Sequence, residues 1–304
     1  MDNAQDTRNA AVGAATEAHP PKKRVREQYE FKLTHLPIYF VLTVGAIICL
    51  TPFLYMMSTS LMTLGETILK QLVPDVPQWG NYTEAWNEAD FSLYFRNSVI
   101  ITALTIIGII FTSVLAGYAF ARIEFPGRNL IFMLLLATLM IPGTVTFIPN
   151  LLLIRGEIVP WGSWMNTLPA LTVPFMANAF SIFLLRQFFM QIPRELWDAA
   201  RIDGAGHLRF LTAVVIPMSR PVIMTVTLLT FVAAWNEFIW PLLVTTTSTW
   251  RPLGVGLYTF VTEAGPETHL IMAGAVITII PVLIVYFITQ KFFTEGIATS
   301  GLKG

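Results

Sequence analysis

The chain has 304 residues, of which 54% are hydrophobic and 12% are charged, and its net charge is zero. Soluble domains carry about 25% charged residues, so a soluble fold of this length could not bury this much apolar surface. The balanced charge gives no indication of nucleic-acid binding. The one cysteine, Cys49, excludes a disulfide framework within the chain, and the four scattered histidines lack metal-ligand spacing. We therefore predict an all-α membrane protein.

Six hydrophobic segments follow a polar N-terminal tail. Residues 1–32 are charged and alanine-rich, and we expect them to form a disordered cytoplasmic tail. A hydrocarbon core about 30 Å thick requires about 20 apolar residues in a helix. Residues 33–304 are therefore predicted to form one transmembrane domain of six helices. The six segments are residues 36–57, 97–121, 129–154, 168–185, 221–250 and 270–290.

Prolines are expected to interrupt the third segment. Pro142 and Pro149 lie within it. A proline inside a helix removes a backbone hydrogen bond and clashes with the preceding turn, so it kinks or ends the helix. The third span is therefore predicted to be bent or broken.

The distribution of basic residues predicts the orientation of the chain. Cytoplasmic loops of membrane proteins carry an excess of Lys and Arg. With the N-terminus in the cytoplasm, only four of the 19 basic residues lie outside: Lys70, Arg96, Arg155 and Arg251. Both termini and the charged segment at residues 192–221 are therefore predicted to be cytoplasmic.

The charged segment begins with features of a short helix. Pro193 suits the first helical position, where its missing N–H is no loss. Glu195 and Asp198 follow in the first turns, where acidic groups favour the positive end of a helix. Asp203 and Gly204 are predicted to end this helix, since glycine readily takes the left-handed conformation of a C-terminal cap.

A second short helix is predicted at residues 208–215, ending at Pro217. Between the two helices, the small residues Ala199, Ala200 and Gly204 make a smooth tip that permits close approach of another surface. The alternative is a solvated loop that stabilises the helix bundle.

The charged segment resembles the EAA loop of ABC importer permeases. That pattern is Glu-Ala-Ala, three residues, Gly, nine residues, Ile, one residue and Leu-Pro. This chain has Asp198-Ala199-Ala200, Gly204, Val214, Ile216 and Pro217 at the same spacing, with Asp for Glu, Val for Ile and Ile for Leu. The adjoining FLLRQFFMQIPRELWDAARIDGAG, the motif AAWNEFIWPLLV and the tail QKFFTEGIATSGLKG resemble the carbohydrate-uptake, maltose-type branch. The resemblance covers about residues 36–304.

The resemblance implies a type I ABC importer permease architecture. It also implies a role in ATP-driven, binding-protein-dependent import of a sugar or sugar-like solute. In that family the EAA loop, here about residues 190–218, carries a coupling helix that docks on a separate ATPase. Carried onto this chain, the ATPase-coupling residues are Glu195, Asp198, Ala199, Ala200, Asp203 and Gly204.

The resemblance implies several partners in a bacterial or archaeal cytoplasmic (inner) membrane. They are a second, different permease subunit, two ATPase subunits, an extracytoplasmic solute-binding protein and the lipid bilayer. ATP and Mg²⁺ would be held by the ATPase subunits and no cofactor by this chain. Consistent with a transport subunit rather than an enzyme, the chain contains no G-x-x-x-x-G-K-[ST] loop and no G-x-S-x-G motif.

Two alternatives to a sugar importer stay open. The first is an ABC importer permease for a non-sugar solute such as glycerol phosphate. The second, less favoured, is an ion-coupled secondary transporter, which usually has internal repeats, and no clear repeat is visible in this chain.

The fifth hydrophobic segment carries a charge at membrane depth. Glu237 is ionisable, and such residues usually face the bundle interior or a water-filled cavity. Sugar sites combine aromatic faces with amides and carboxylates, so Trp235, Asn236 and Glu237 are predicted to line a translocation path with Asn178. Alternatively, Asn236 and Glu237 satisfy backbone broken near Pro241 or pair with a partner subunit, and Asn178 forms a hydrogen bond between helices.

Overall fold

The computed structural model describes residues 36–88, 90–158, 162–262 and 265–300. The predicted N-terminal tail, residues 1–32, lies outside the described residues. Helices make up nearly all of the regular structure in the described part. Contacts separate a unit that ends at Thr51 from a second unit that begins at Pro52, and the sites described below belong to the second unit.

The first predicted span is a helix, α1 (Leu36–Thr59). Its 24 residues extend over about 36 Å at 1.5 Å per residue, which is long enough to cross a hydrocarbon core. Two short helices follow, α2 (Leu64–Ile68) and α3 (Gly80–Glu88). Thr63 begins α2 with a capping box: its hydroxyl accepts the N–H of Glu66, whose carboxylate accepts the N–H of Thr63.

The second predicted span lies within the long helix α4 (Phe91–Arg122). The only charged residues of this 32-residue helix are Arg96 and Arg122, and the residues between them are mostly apolar. The helix ends where Ile123 becomes extended. Residues before a proline avoid the helical conformation, and Pro126 follows soon after.

The third predicted span is broken near Pro142, as expected. Helix α5 (Arg128–Ala137) continues into a 3₁₀ turn, and a second 3₁₀ turn leads into α6 (Phe147–Arg155). The two halves are bent by 95°. Pro149 does not end a helix: it lies in the first turn of α6, where the missing N–H has no helical partner.

The fourth predicted span is bent as well. Helix α7 (Leu168–Thr172) passes into a 3₁₀ turn (Val173–Phe175). Helix α8 (Ala179–Gln191) follows, with Asn178 as its N-cap residue. The angle between the two halves is 44°. Pro174 lies in the 3₁₀ turn between them.

The charged segment forms two helical stretches, as predicted, but the second is longer than expected. Helix α9 (Arg194–Ile202) is followed by α10 (His207–Phe210), a π-helical turn (Leu211–Val215) and α11 (Ile216–Met218). The prediction that Pro217 ends the second helix is wrong. Pro217 lies in α11, directly after the π-helical turn, and the helical stretch continues past it to Met218.

The fifth predicted span, residues 221–250, is not one helix. Helix α12 (Arg220–Trp235) ends at Asn236, and the short α13 (Ile239–Val244) begins after a break. The side-chain amide of Asn236 donates to the carbonyl of Val232, a local bond that competes with continued helix. The carboxylate of Glu237 accepts the N–H of Trp240 and caps the next helix.

The chain ends in a long helix after several short elements. A 3₁₀ turn (Ser248–Trp250), α14 (Leu253–Leu257) and a further 3₁₀ turn (Tyr258–Phe260) lead into the antiparallel strands β1 (Val261–Thr262) and β2 (Gly265–Pro266). Helix α15 (Thr268–Ser300) includes the sixth predicted span.

Three unbroken helices in the described part are long and apolar enough to span a membrane: α1, α4 and α15, the last over Thr268–Gln290. Three bent pairs pass the same test when each pair is taken as one span. The all-α membrane fold predicted from composition is therefore confirmed, with three uninterrupted spans as the minimum.

Helix α4 is the centre of packing in the second unit, with its largest interfaces against α8 and α12. Gly117 lies at the crossing with α8, where an added Cβ would lie 3.2 Å from Cβ of Leu185 and 3.3 Å from the backbone nitrogen of Arg186. Glycine therefore permits the close approach of the two helices, as small residues commonly do in membrane bundles.

Candidate functional site

A cavity of about 240 Å³, the polar cavity, lies between α4, α8, α12 and α13. Its lining combines aromatic rings with hydroxyl, amide and carboxylate groups. The aromatic residues are Phe175, Phe180 and Trp240, and the polar residues are Ser98, Thr105, Asn178, Ser181, Thr230 and Glu237. Among the described lining residues, Glu237 is the one charged group.

Glu237 is held in place by the helix that follows it. One carboxylate oxygen accepts the backbone N–H of Trp240 at 3.0 Å. The Trp240 indole is itself buried, donates to the carbonyl of Ala170 at 2.9 Å and packs edge-to-face on Phe175. Glu237 thus stabilises the broken backbone near Pro241 and also lines the polar cavity.

Asn178 lines the same cavity from the start of α8. Its side-chain oxygen accepts the N–H of Ser181 at 3.1 Å, which caps the helix. The residue is exposed, so its amide group also remains accessible to a solute. The break between α7 and α8 therefore brings an amide into the cavity wall.

Trp235 and Asn236 are not among the described residues that line the polar cavity. The indole of Trp235 is buried, donates to the carbonyl of Thr278 at 3.1 Å and stacks on Phe231. Asn236 bonds the preceding turn of its own helix. Because α12 turns by about 100° per residue, its cavity face presents Thr230, Ala233 and Ala234 instead.

The hydroxyl groups that α4 contributes to the cavity wall were missed in the sequence. Ser98 and Thr105 lie on the buried face of α4. A usable signal was present: polar residues recur at helical spacing along this otherwise apolar span, at Asn97, Ser98, Thr102 and Thr105. A polar stripe in a membrane helix faces the bundle interior rather than lipid.

The charged segment presents a second surface, the loop surface, at the tip of α9. Its exposed residues are Glu195, Ala199, Ile202, Asp203, Gly204 and Leu208. Ile202 is 87% exposed and Leu208 is 70% exposed, and neither was singled out in the sequence. Exposed apolar residues beside a small-residue tip suit contact with another protein.

Gly204 ends α9 as predicted. Its φ is +77°, the left-handed conformation, and the N–H of Ala205 bonds the carbonyl of Ala200 at 2.8 Å. Ala200 is half-buried and packs against the apolar core, so its side chain does not belong to the exposed surface.

The loop is fastened to α4 by stacked rings and one arginine. The rings of Trp197 and His207 stack with centroids 4.4 Å apart, and Nδ1 of His207 lies 2.9 Å from the Tyr118 hydroxyl. The guanidinium of Arg122 donates to the backbone carbonyls of Phe189 and Ile192. These contacts join the loop to α4 and to the end of α8.

Asp198 lies on a different side of α9 from the loop surface. It lines a cleft of about 690 Å³, the basic cleft, at the ends of α4 and α8. Five arginines line this cleft: Arg122, Arg128, Arg186, Arg194 and Arg201. Asp198 is exposed, so it is accessible to a partner that approaches from the cleft side.

A helical membrane protein with a polar cavity between bent spans and an exposed, tightly fastened loop belongs to the class of membrane transport subunits. The chain is a member of the family described as "Binding-protein-dependent transport system inner membrane component", whose model matches residues 109–298. It is therefore a permease subunit of a binding-protein-dependent transport system and not an enzyme. The resemblance to ABC importer permeases that the loop motif indicates is confirmed.

Individual relatives agree with this family. The sn-glycerol-3-phosphate transport system permease protein UgpE of Yersinia pestis bv. Antiqua (strain Antiqua) is 34% identical over 237 residues, covering 75% of this chain and 83% of the relative. The arabinooligosaccharides transport system permease protein AraQ of Halalkalibacterium halodurans is 32% identical over 249 residues, covering 81% and 86%.

A solved structure shows the same fold. It is the crystal structure of a bacterial ABC transporter involved in the import of the acidic polysaccharide alginate. The likeness has a TM-score of 0.74 at 24% identity and covers 87% of this chain and 99% of that chain. The type I permease fold inferred from the sequence is thus shared with a known transporter.

Proposed function

We propose that this chain is the transmembrane subunit of an ATP-driven importer that moves a neutral sugar or sugar-like solute across the cytoplasmic membrane of a bacterium or archaeon. Its permease relatives carry the names of a glycerol phosphate system and an arabino-oligosaccharide system. Both solutes are polyhydroxylated. We therefore expect the solute of this chain to belong to the same chemical class.

The observation that carries the substrate proposal is the lining of the polar cavity. Hydroxyl groups, one amide and one carboxylate face the same space as three aromatic rings. Apolar sugar faces pack on aromatic rings, and hydroxyls pair with amide and carboxylate groups. The described lining contains Glu237 but no Lys, Arg or His. A neutral sugar fits this chemistry, whereas a phosphate group would be repelled by the carboxylate.

Trp235 and Asn236 have a supporting role in this proposal. Trp235 fixes the end of α12 against α15 through the carbonyl of Thr278. Asn236 helps to end α12 one residue before Glu237. Glu237 and Asn178 are then the two predicted path residues that meet the solute directly.

Glycerol phosphate is the second candidate, because the UgpE relative carries that name. A phosphate would then need basic groups from the other half of the path, which a second and different permease subunit would supply. An ion-coupled secondary transporter is not supported, since the chain belongs to a binding-protein-dependent family.

We further propose that the chain crosses the membrane six times with both termini in the cytoplasm. The six spans would be α1, α4, α15, the two bent spans at residues 128–155 and 168–191, and a span that begins with α12. The bias of Lys and Arg supports the orientation.

The loop surface is the proposed docking site for one of two ATPase subunits, which bind ATP and Mg²⁺. Ala199 and Gly204 permit close approach, and Ile202 and Leu208 supply apolar contact. Glu195 and Asp203 can accept charge-assisted hydrogen bonds from the ATPase at this surface, and Asp198 can accept them from a part of the ATPase that reaches the cleft side of α9. Ala200 supports the helix from its inner side. ATP can drive transport only if the two ATPase states contact this helix differently.

An uptake assay tests the proposed function. The chain would be purified with the permease and ATPase subunits that accompany it, reconstituted into vesicles, and supplied with its binding protein. We expect vesicles that contain ATP to accumulate a labelled neutral oligosaccharide, and ADP to abolish accumulation. Uptake of glycerol 3-phosphate in preference to neutral sugars would support the second candidate instead. Uptake without ATP hydrolysis would contradict the proposal.

A further inference from the structure

The basic cleft holds more positive charge than its own carboxylates compensate. Five arginines line it together with Glu124, Asp198 and His207. Two carboxylates against five guanidinium groups leave at least three uncompensated positive charges. In the part of the chain that the structure describes, the one ion pair is Arg155–Glu157, which lies elsewhere. Within the described residues, the arginines of the cleft are therefore not paired with carboxylates.

Two of these arginines are held firmly by backbone bonds and aromatic contact. Arg122 donates to the carbonyls of Phe189 and Ile192. Arg186 donates through Nε to the carbonyl of Phe120 at 3.2 Å, and its guanidinium carbon lies 4.0 Å from the centroid of the Phe132 ring. These contacts fix the positions of two guanidinium groups in the cleft before any ligand is bound.

The remaining arginines come from two other elements. Arg128 begins α5 and donates to the carbonyl of Ile123 at 3.2 Å. Arg194 and Arg201 lie seven residues apart on α9, so they share one side of that helix, and both are exposed. The cleft thus collects positive charge from three apolar helical spans, through α4, α5 and α8, and from the charged loop.

We propose that the basic cleft binds a phosphate-bearing anion, either the headgroup of an anionic membrane lipid or free phosphate. Arginine forks match the geometry of phosphate oxygens and form strong charge-assisted bonds with them. Basic pockets between the ends of membrane helices are suited to lipid headgroups. The volume of about 690 Å³ lies in the range of about 300–1,000 Å³ that is typical of small-molecule sites.

Anion binding here would connect the loop to the bundle. The cleft is lined by Arg194, Asp198 and Arg201 on α9 and by Arg122 on α4. A bound phosphate would bridge the two elements and limit movement of the loop relative to α4. The site rests on the cleft alone and does not depend on which solute the polar cavity carries.

The proposal is tested with the complete importer complex in detergent, freed of bound lipid. Binding of a fluorescent short-chain phosphatidylglycerol is measured, with displacement by unlabelled phosphatidylglycerol, by phosphatidylcholine and by inorganic phosphate at constant ionic strength. We expect phosphatidylglycerol or phosphate to displace the probe at least about tenfold more effectively than phosphatidylcholine. Displacement by phosphatidylglycerol alone identifies a lipid headgroup, and displacement by phosphate at comparable concentration identifies the free anion.

Matched variants locate the binding. The double variant Arg128→Gln/Arg194→Gln should weaken probe binding at least about tenfold. Arg128→Lys/Arg194→Lys keeps the charge but loses the fork, so it should retain part of the affinity. Arg155→Gln is the control, because Arg155 pairs with Glu157 and does not line the cleft.

Several results would overturn the proposal. One is that phosphatidylcholine and phosphatidylglycerol displace the fluorescent probe equally and phosphate has no effect. This result is measured on the unmodified complex, so it does not depend on whether a variant folds. Another is an equal loss of binding in Arg155→Gln. A third is binding to the isolated chain but not to the complex, which would assign the cleft to the ATPase interface.

Discussion

The polar cavity and the basic cleft are lined by opposite chemistry, although α4 contributes to both. The cavity has one charged group, Glu237, among hydroxyls, an amide and aromatic rings. The cleft has five arginines and two carboxylates. A charge at membrane depth is costly and must be satisfied internally, whereas arginines at helix ends reach water and headgroups. Depth in the bundle therefore decides which ligands each site can accept.

The two sites also differ in what holds them in place. The cavity is formed where helices break, and its polar groups cap the broken ends: Asn178 caps α8, and Glu237 bonds the N–H of Trp240. The cleft is held by side chains that reach from α4 to distant backbone carbonyls, chiefly Arg122. Local substitutions should therefore disturb the cavity selectively and the cleft more globally.

The largest expected effect is on the fastening of the loop. In Arg122→Ala, the backbone carbonyls of Phe189 and Ile192 lose a charged donor. Each such hydrogen bond is worth about 1.5–3 kcal/mol, so the loop should be destabilised by about 3 kcal/mol or more. Trypsin cleavage within the loop should accelerate, and the thermal midpoint of the complex should fall. Arg209→Lys, at an exposed position of the same loop, is the control: it keeps the trypsin site and should leave both quantities unchanged.

The next-largest effect is expected on solute uptake when the charge of Glu237 in the polar cavity is removed. In Glu237→Gln the side-chain oxygen can still accept the Trp240 N–H, so the fold is kept while the charge is lost. Solute uptake should fall more than about tenfold, because hydrogen bonds to a charged group are worth about 1.5–3 kcal/mol. Asn236→Ala, one residue away but off the cavity lining, should change uptake less than about twofold. Normal uptake and normal stimulated ATPase in Glu237→Gln would remove this residue from the path.

A third, smaller effect is expected at the tip of α9. Gly204 has φ +77°, so a β-branched replacement such as Gly204→Val is strained by about 1–2 kcal/mol, although no atom lies within 4 Å of an added Cβ. We expect the solute moved per ATP hydrolysed to fall about fivefold. Gly206→Ala is the matched control, because its φ is −84° and the space around it is open. Equal loss in both variants would contradict a specific role of the tip.

The smallest effect concerns a carboxylate that belongs to neither site. The N–H of Thr63, the N–H of Asp75 and the Thr63 hydroxyl donate to Glu66 and lower the pKa of Glu66 below its ordinary value. A lowered folded pKa stabilises the segment above the ordinary glutamate pKa of about 4.3. That stability is lost as pH falls through the folded value.

Hydrogen exchange of the segment that contains Asp75, corrected for intrinsic rates, measures this loss. The Asp75 amide should lose protection on acidification in the natural chain. Glu66→Gln should show weaker protection at neutral pH and little further change in acid. A pH response that persists in Glu66→Gln would assign it to another group.

Much of the fold was predictable from local composition. Apolar runs predicted all of the long helices, and Pro142 predicted the break of the third span. The loop motif predicted α9, its end at Gly204 and the family. The break after α12 was predicted only as an alternative, near Pro241, and its start at Asn236 depends on a side-chain bond to Val232 and on the cap that Glu237 provides. Neither bond has a periodic signal in an otherwise apolar segment.

The residues of the candidate site were also predictable only in part. Glu237 and Asn178 were predicted to line one polar path, because isolated polar groups in apolar spans face inward. In the structure, both residues line the polar cavity. Trp235 was grouped with them by proximity in the chain, but in a helix neighbouring residues face different directions, and the structure places it against α15.

By itself, the amino-acid sequence determined that this is a multi-span helical membrane protein with a charged loop of two helical stretches, because apolar length, turn residues and motif spacing are local properties. Only the tertiary structure decided which polar groups share a cavity and that five arginines from α4, α5, α8 and α9 line one cleft. The physical reason is that these groups are brought together by helix crossings and bends between residues far apart in the chain.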